Sequence, residues 1–336
     1  MSIRFEISSR VVQLAAVALA GALWATGAGA VDMRLAMISD DTHPDTIAAR
    51  EMVKAIDLRT KGAVNIKVFS NNMLGTPPEI TEQTRRGIIE FAMVSPSQLD
   101  KFNKAFGVVM IPYQFDDYAH AHRTLDQTAW NWLQAKANEA GFEVIANFEW
   151  GFRSISNSKR PINTPDDVKG LKLRVPPEIQ IKSAMESLGA VTATIAFPEV
   201  YMALANKVVD GQDNPIGTFY SQKFFEVQPY AAITKHVYHP LVMVANKKAW
   251  DSKLTAEQRA IVTEEARKWA NKARQDIQDN DKFIIGEMEK AGTKFTYPDV
   301  ALFRTKMDAA YKPIKAFVGE TNWDEWSKFV EAARKK

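Results

Sequence analysis

The sequence predicts an α/β protein of two lobes with a cleft between them, and three observations predict it. Strand and helix periods alternate over 33–94, the alternation recurs over 171–210, and a capped helical region opens at Thr255 after both. Each run reads β-α-β-α-β, which implies two mainly parallel sheets whose functional edges are the carboxyl ends of their strands.

Ahead of the first run, residues 1–30 read as an export signal. Arg4 and Arg10 precede the apolar run 11–24, and Ala28-Gly29-Ala30 offers small residues for a signal peptidase, so cleavage is expected after Ala30. The apolar run is short for a membrane span of about 20 residues, and Gln13 interrupts it. The chain has no cysteine, which excludes lipid attachment at the signal, disulfides and thiol catalysis.

The first run then places strands at 33–38, 65–69 and 91–94 and helices at 45–59 and 78–86. The second places strands at 171–175, 191–195 and 208–210, with helices at 178–188 and 198–206. Ile181, Ala184, Met185 and Leu188 keep one apolar helical face, Gly189 follows it, and Pro198 suits a first helical turn. Thr255-Ala256-Glu257-Gln258 has the form of a capping box, after which Ile261, Ala266, Trp269, Ala273 and Ile277 recur at helical spacing.

Lys and Arg number 43 against 40 Asp and Glu, a net charge of +3 that becomes +2 once Arg4, Arg10 and Glu6 leave with the signal. So even a balance argues against a nucleic-acid surface. Gly-x-Ser-x-Gly, His-Glu-x-x-His and a phosphate-binding glycine loop are absent, and the five histidines are scattered, so neither a nucleophile, a metal site nor a cofactor is expected.

The informative residues cluster in two segments, Gly170-Leu171-Lys172-Leu173-Arg174-Val175-Pro176 and Val209-Asp210-Gly211-Gln212-Asp213-Asn214-Pro215. Alternation in the first sends Arg174 to the face opposite the apolar residues, and Pro176-Pro177 end the strand beside it. A guanidinium held there can clamp a carboxylate through two parallel hydrogen bonds, which lysine cannot do. Read from pattern alone, an ordinary solvated arginine also satisfies it.

Between and around these lie Phe197-Pro198-Glu199-Val200-Tyr201-Met202-Ala203-Leu204, Lys223-Phe224-Phe225-Glu226-Val227-Gln228, Ile111-Pro112-Tyr113 and Arg153-Ser154-Ile155-Ser156-Asn157. In this order the segments resemble the signature of TRAP-transporter solute-binding proteins of the dicarboxylate-binding (DctP) type. Those are the extracytoplasmic subunits of tripartite ATP-independent periplasmic transporters. The resemblance implies a two-lobed periplasmic-binding-protein architecture, with a long helix bridging the lobes and a chain that crosses between them more than once. Lobe one would hold 31–150 and 240–279, and lobe two 151–239 and 280–336.

It also implies a periplasmic protein that works with small and large membrane subunits driven by an ion gradient. Arg174 would be the main carboxylate clamp. Asn214, extended before Pro215, would donate to the same acid. Arg153 would be a second donor, or else the partner of Glu149 or Glu178 in an ion pair.

Around them, Trp150 and Phe197 are candidates to stack on the ligand, or plain core residues. On lobe one, Asp41 and His43 stand in a polar loop before a helix, where they serve as ligand donors or as turn and cap residues. Ser95 and Gln98 follow the strand that ends at Val94. Such a set suits a sugar acid, a uronate or an aldonate. Dicarboxylates, hydroxy acids and keto acids are the alternatives, and Ile38 with Ser95-Pro96 disfavours sialate. An importer subunit driven by ATP and a periplasmic enzyme acting on sugar acids are the readings from other classes.

Overall fold

The computed structural model describes residues 30–334, so the export signal lies outside the described residues except for Ala30. Strand β1 (Val31–Met37), helix α1 (Pro44–Arg59), β2 (Val64–Phe69), α2 (Pro77–Arg85) and β3 (Phe91–Val94) form the first run, close to the bounds its periodicity gives. Pro44 occupies the first turn of α1, and Thr76 with Glu79 closes a capping box on α2. Helices α3 (Tyr118–Arg123) and α4 (Trp130–Glu139) lead into β4 (Phe142–Asn157).

The second run comprises β5 (Lys172–Val175), α5 (Ile179–Ser187), β6 (Val191–Thr194), α6 (Val200–Ala205) and β7 (Gly211–Pro215). The strand expected at 208–210 is displaced: those residues form a bend, and the strand begins at Gly211. Gly211 lies so close to β4 that a Cβ there would collide with the Ser156 carbonyl oxygen, so the glycine belongs inside the strand and does not end it. After α7 (Ile216–Ser221) come β8 (Tyr230–Asn246), α8 (Lys247–Lys253), the 35-residue α9 (Ala256–Lys290) and β9 (Lys294–Thr296). Helices α10 (Val300–Arg304), α11 (Asp308–Val318) and α12 (Glu320–Arg334) end the described chain.

The two sheets expected from the sequence are one. Its order is β2-β1-β3-β8-β4-β7-β5-β6, with β9 also on β8. The long strands β4 and β8 pair antiparallel along their lengths and change outer partners midway. The carboxyl half of β8 pairs with β3 and its amino half with β9, while Arg153 to Asn157 of β4 pair with β7. At the changeover Trp150 is bulged out between the pairs Glu149 with Pro240 and Gly151 with His239. Gly151 has φ +104°, a conformation open to glycine, and Pro240 cannot donate to a ladder.

Helix α9 spans the molecule. Val262, Ala266, Ala270 and Ala273 join the main core, whereas Ile284 and Met288 near its end join a separate cluster with Val200, Leu204, Phe219 and Phe224. The capping box at Thr255 is present, and the bridging helix implied by the resemblance is observed. At the carboxyl end, α11 packs on α5 and on the turn at 104–108. Helix α12 accepts hydrogen bonds from His120 Nε2 at the Val330 oxygen (2.8 Å) and from Arg123 Nε at the Ala333 oxygen (2.9 Å).

Candidate functional site

A cavity of about 560 Å³, counted out to its open mouth, lies where the carboxyl ends of β1, β3, β5 and β6 face the crossover of β4 and β8. Strand carboxyl ends and interlobe clefts are where the physics of α/β folds puts ligands. Arg174, Asn214, Arg153, Trp150, Ser95, Gln98 and Phe197 all line it.

Arg174 is the next-to-last residue of β5 and is 2% exposed. Its Nε donates to the Ile195 oxygen at 2.9 Å, which fixes the plane of the guanidinium. No protein acceptor engages its two terminal nitrogens among the described residues. Burial brings its pKa down to about 10, and the nearby Arg153 charge adds to that. A cation so held is short of negative charge, and a carboxylate in the cavity would supply it.

Arg153 is committed to the protein. Its Nε donates to Asp213 Oδ2 at 2.6 Å, one terminal nitrogen donates to the Asp213 backbone oxygen, and the other to His239 Nδ1 at 2.6 Å. Its ion-pair partner is therefore Asp213, in place of the Glu149 or Glu178 read from the sequence. Burial pushes the Asp213 carboxyl up, but Arg153 and the His236 ring, 3.0 Å from Oδ2, outweigh it and hold the group well below the usual carboxylate range.

His239 is a lining residue that sequence reasoning missed. Because Arg153 can only donate, His239 Nδ1 accepts, and the neutral ring carries its proton on Nε2. Burial, then the Arg153 charge, keeps the ring neutral. Its Nε2 has no partner among the described residues. The signal was Pro240 next to it, which marks the strand crossover opposite Trp150-Gly151.

Trp150 forms the aromatic wall. Its Nε1 donates to Ser39 Oγ at 2.8 Å, and its ring lies 5.5 Å from Phe197 and 5.0 Å from His239 between centroids. One amide hydrogen of Asn214 goes to Gln212 Oε1 at 2.5 Å, leaving the other for a ligand. Ser95 Oγ lies 2.6 Å from Ser97 Oγ.

Gln98 reaches across to Glu178, donating from Nε2 to Oε1 at 2.9 Å. Glu178 lines the cavity, as do Thr76, Pro77 and Pro78 at the start of α2, and none of these four was read as lining. Burial pushes the Glu178 carboxyl up, against the pull of Arg153, Ser97, Gln98 and Arg174.

The structure does not bring His43 and Asp41 to this cavity. Asp41 is exposed and accepts from Arg50 and from Ser70 Oγ, each at 2.5 Å. His43 caps α1, accepting at Nδ1 from the Asp45 amide at 3.3 Å, and it borders a separate small cavity with Gly217, Tyr220 and Asp281. The described residues contain no cluster of metal-ligating side chains and no helix long and apolar enough to cross a membrane.

Residues 35–317 match the family model for bacterial extracellular solute-binding protein, family 7, DctP. The 2,3-diketo-L-gulonate-binding periplasmic protein YiaO of Escherichia coli K12 is 32% identical over 265 residues, covering 79% of this chain and 80% of its own. The C4-dicarboxylate-binding periplasmic protein DctP of Rhodobacter capsulatus is 31% identical over 297 residues, covering 86% and 88%. Among solved structures, a TRAP periplasmic solute-binding protein from Roseobacter denitrificans with bound β-D-glucuronate superposes with a TM-score of 0.84 at 28% identity, over 90% of this chain and 99% of that one. The sugar acid binding protein DctPAm from Advenella mimigardefordensis, in complex with galactonate, gives 0.86 at 27% identity over 91% and 99%. Taken with the cleft and its buried arginine, these matches establish that the chain belongs to family 7 of the bacterial extracellular solute-binding proteins, the DctP-type binding proteins of TRAP transporters.

Proposed function

We propose that this chain is the periplasmic binding subunit of a TRAP transporter that captures a sugar acid, a uronate or aldonate, and hands it to the small and large membrane subunits. The observation that carries the reading is Arg174, a buried guanidinium anchored through Nε with its terminal nitrogens unengaged on the cavity wall. A carboxylate matches that fork. Trp150 and Phe197 suit the carbon face of a sugar, and Asn214, Gln98 and His239 suit its hydroxyls.

The ligands named for the Roseobacter, Advenella and Escherichia proteins are all sugar acids, which supports the class. The Rhodobacter relative supports a second reading within the same cleft, a dicarboxylate. We divide the lobes as 31–150 with 240–279 and 151–239 with 280–336, since β4 and β8 change partners near Trp150 and His239. Capture proceeds by closure: contacts made only when the lobes meet around the acid favour the closed form. The acid leaves chemically unchanged, so the protein is a carrier and no enzyme.

A thermal-shift screen of the chain from Val31 tests this, with glucuronate, galacturonate, galactonate, succinate, pyruvate and sialate as probes. A ligand of the folded state adds about 2.7 kcal/mol at a hundred times its Kd. A clear rise in Tm with a uronate or aldonate, recovered intact by mass spectrometry, is expected. A rise with succinate or pyruvate alone would replace the sugar-acid reading, and chemical conversion of the probe would replace the carrier.

A further inference from the structure

Glu178 and Gln98 raise a question that the carboxylate clamp does not answer. Their side chains are 5% and 4% exposed, and the hydrogen bond between Gln98 Nε2 and Glu178 Oε1 sets them side by side on the cavity wall. That bond leaves Glu178 Oε2 and Gln98 Oε1 buried and without a hydrogen-bond partner among the described residues, the nearby Ser97 hydroxyl being engaged with Ser95 Oγ at 2.6 Å. Both orphan atoms are acceptors. Buried polar atoms in native proteins are almost always satisfied, so this pair is matched to groups that arrive with the ligand.

We propose that Glu178, held in place by Gln98, is a specificity residue that requires hydroxyl donors on the bound acid and excludes a second carboxylate, making this cleft selective for hydroxylated monocarboxylates. This rests on the sugar-acid reading of the same cleft and sharpens it. Arg153 is already neutralised by Asp213, so among the described residues Arg174 is the one cation on the wall left for the ligand, and one carboxylate satisfies it. A second carboxylate would meet acceptors and the negative charge of Glu178 in a poorly screened cavity, where like charges disfavour binding. A hydroxyl there donates to Oε2 and costs nothing in charge. The two residues also come from the two lobes as we divide them, so a ligand whose hydroxyls donate one to each oxygen is held only when the cleft is closed.

The matched pair D-galactonate and galactarate, which differ only by oxidation of the terminal CH₂OH to a carboxylate, isolates the effect. Calorimetry on the wild-type protein should show galactonate bound at least 100-fold more tightly than galactarate. Replacing the carboxylate with its isosteric amide, Glu178→Gln, should weaken galactonate about 10-fold or more and bring the ratio to within about 10-fold. Glu178→Asp, which keeps the charge, should retain the discrimination with lower affinity. Equal binding of the two acids by the wild type, or an unchanged ratio in a folded Glu178→Gln protein, overturns the proposal. The wild-type ratio needs no variant, so poor folding of either substitution leaves the test intact. Should the wild type bind neither of this pair nor any uronate, the sugar-acid reading itself fails. Tight galactonate binding with an unchanged ratio in Glu178→Gln overturns the role of Glu178 alone.

Discussion

Two arginines of the same wall do different work because their surroundings differ. Arg153 gives three of its five N–H groups to Asp213 and His239, whereas Arg174 gives one to a carbonyl and keeps both terminal nitrogens for a ligand. Replacing Asp213 with Asn should therefore act on stability before it acts on binding. It leaves the Arg153 guanidinium buried without its counter-charge, an effect of about 3 to 5 kcal/mol that urea unfolding would read. Loss of less than about 1 kcal/mol would mean that the pair is not a structural anchor. At this scale the places of Arg174 and Asn214 on the cavity wall were legible because a strand period and a neighbouring proline set their direction. His239 and Glu178 were not, since their role depends on which atoms their partners leave unsatisfied. Arg153 was legible as a charged residue near the cleft, but its partner sits on a strand 60 residues away.

Among the elements, β7 and α9 carry the most specific consequences. Gly211 lets β7 approach β4 so that Asn214 reaches the cavity and Asp213 reaches Arg153, and a methyl group there meets the Ser156 carbonyl oxygen. Gly211→Ala should cost about 1 to 3 kcal/mol through overpacking, seen as a lower urea midpoint with an unchanged slope. On α9, burial and then the Glu149 charge raise Asp281 to about 6. The folded chain thus keeps this proton to a higher pH than the unfolded chain, whose aspartates release theirs near 3.9. Stability is complete below about pH 4 and falls as pH rises through about 6. Asp281→Asn removes that loss and should exceed wild type by about 3 kcal/mol at pH 8 while matching it near pH 4. Equal profiles for the two proteins would show the carboxylate to be well solvated. The short β-α units were legible because each carries its own period and its own cap. The unity of the sheet was not, because the bulge at Trp150, Gly151 and Pro240 interrupts the alternation of the two strands that create it.

Across the whole molecule, β4, β8 and α9 tie the two halves together, and the cleft lies where the two long strands change partners. Contacts already cross it: Gln98 donates to Glu178, and Gln222 Nε2 donates to Asp40 Oδ2 at 2.8 Å. On the proposed division, closure around an acid would turn on two strands and one helix, and the main apolar core draws residues from both halves. The central claim is that closure is organised around the Arg174 guanidinium, and titration calorimetry of wild type, Arg174→Ala and Arg174→Lys against the acid found in the screen tests it most directly. The expected result is a loss of about 2 to 5 kcal/mol in binding free energy for Arg174→Ala, only partly restored by Arg174→Lys. Affinity near wild type in a correctly folded Arg174→Ala protein would contradict the account.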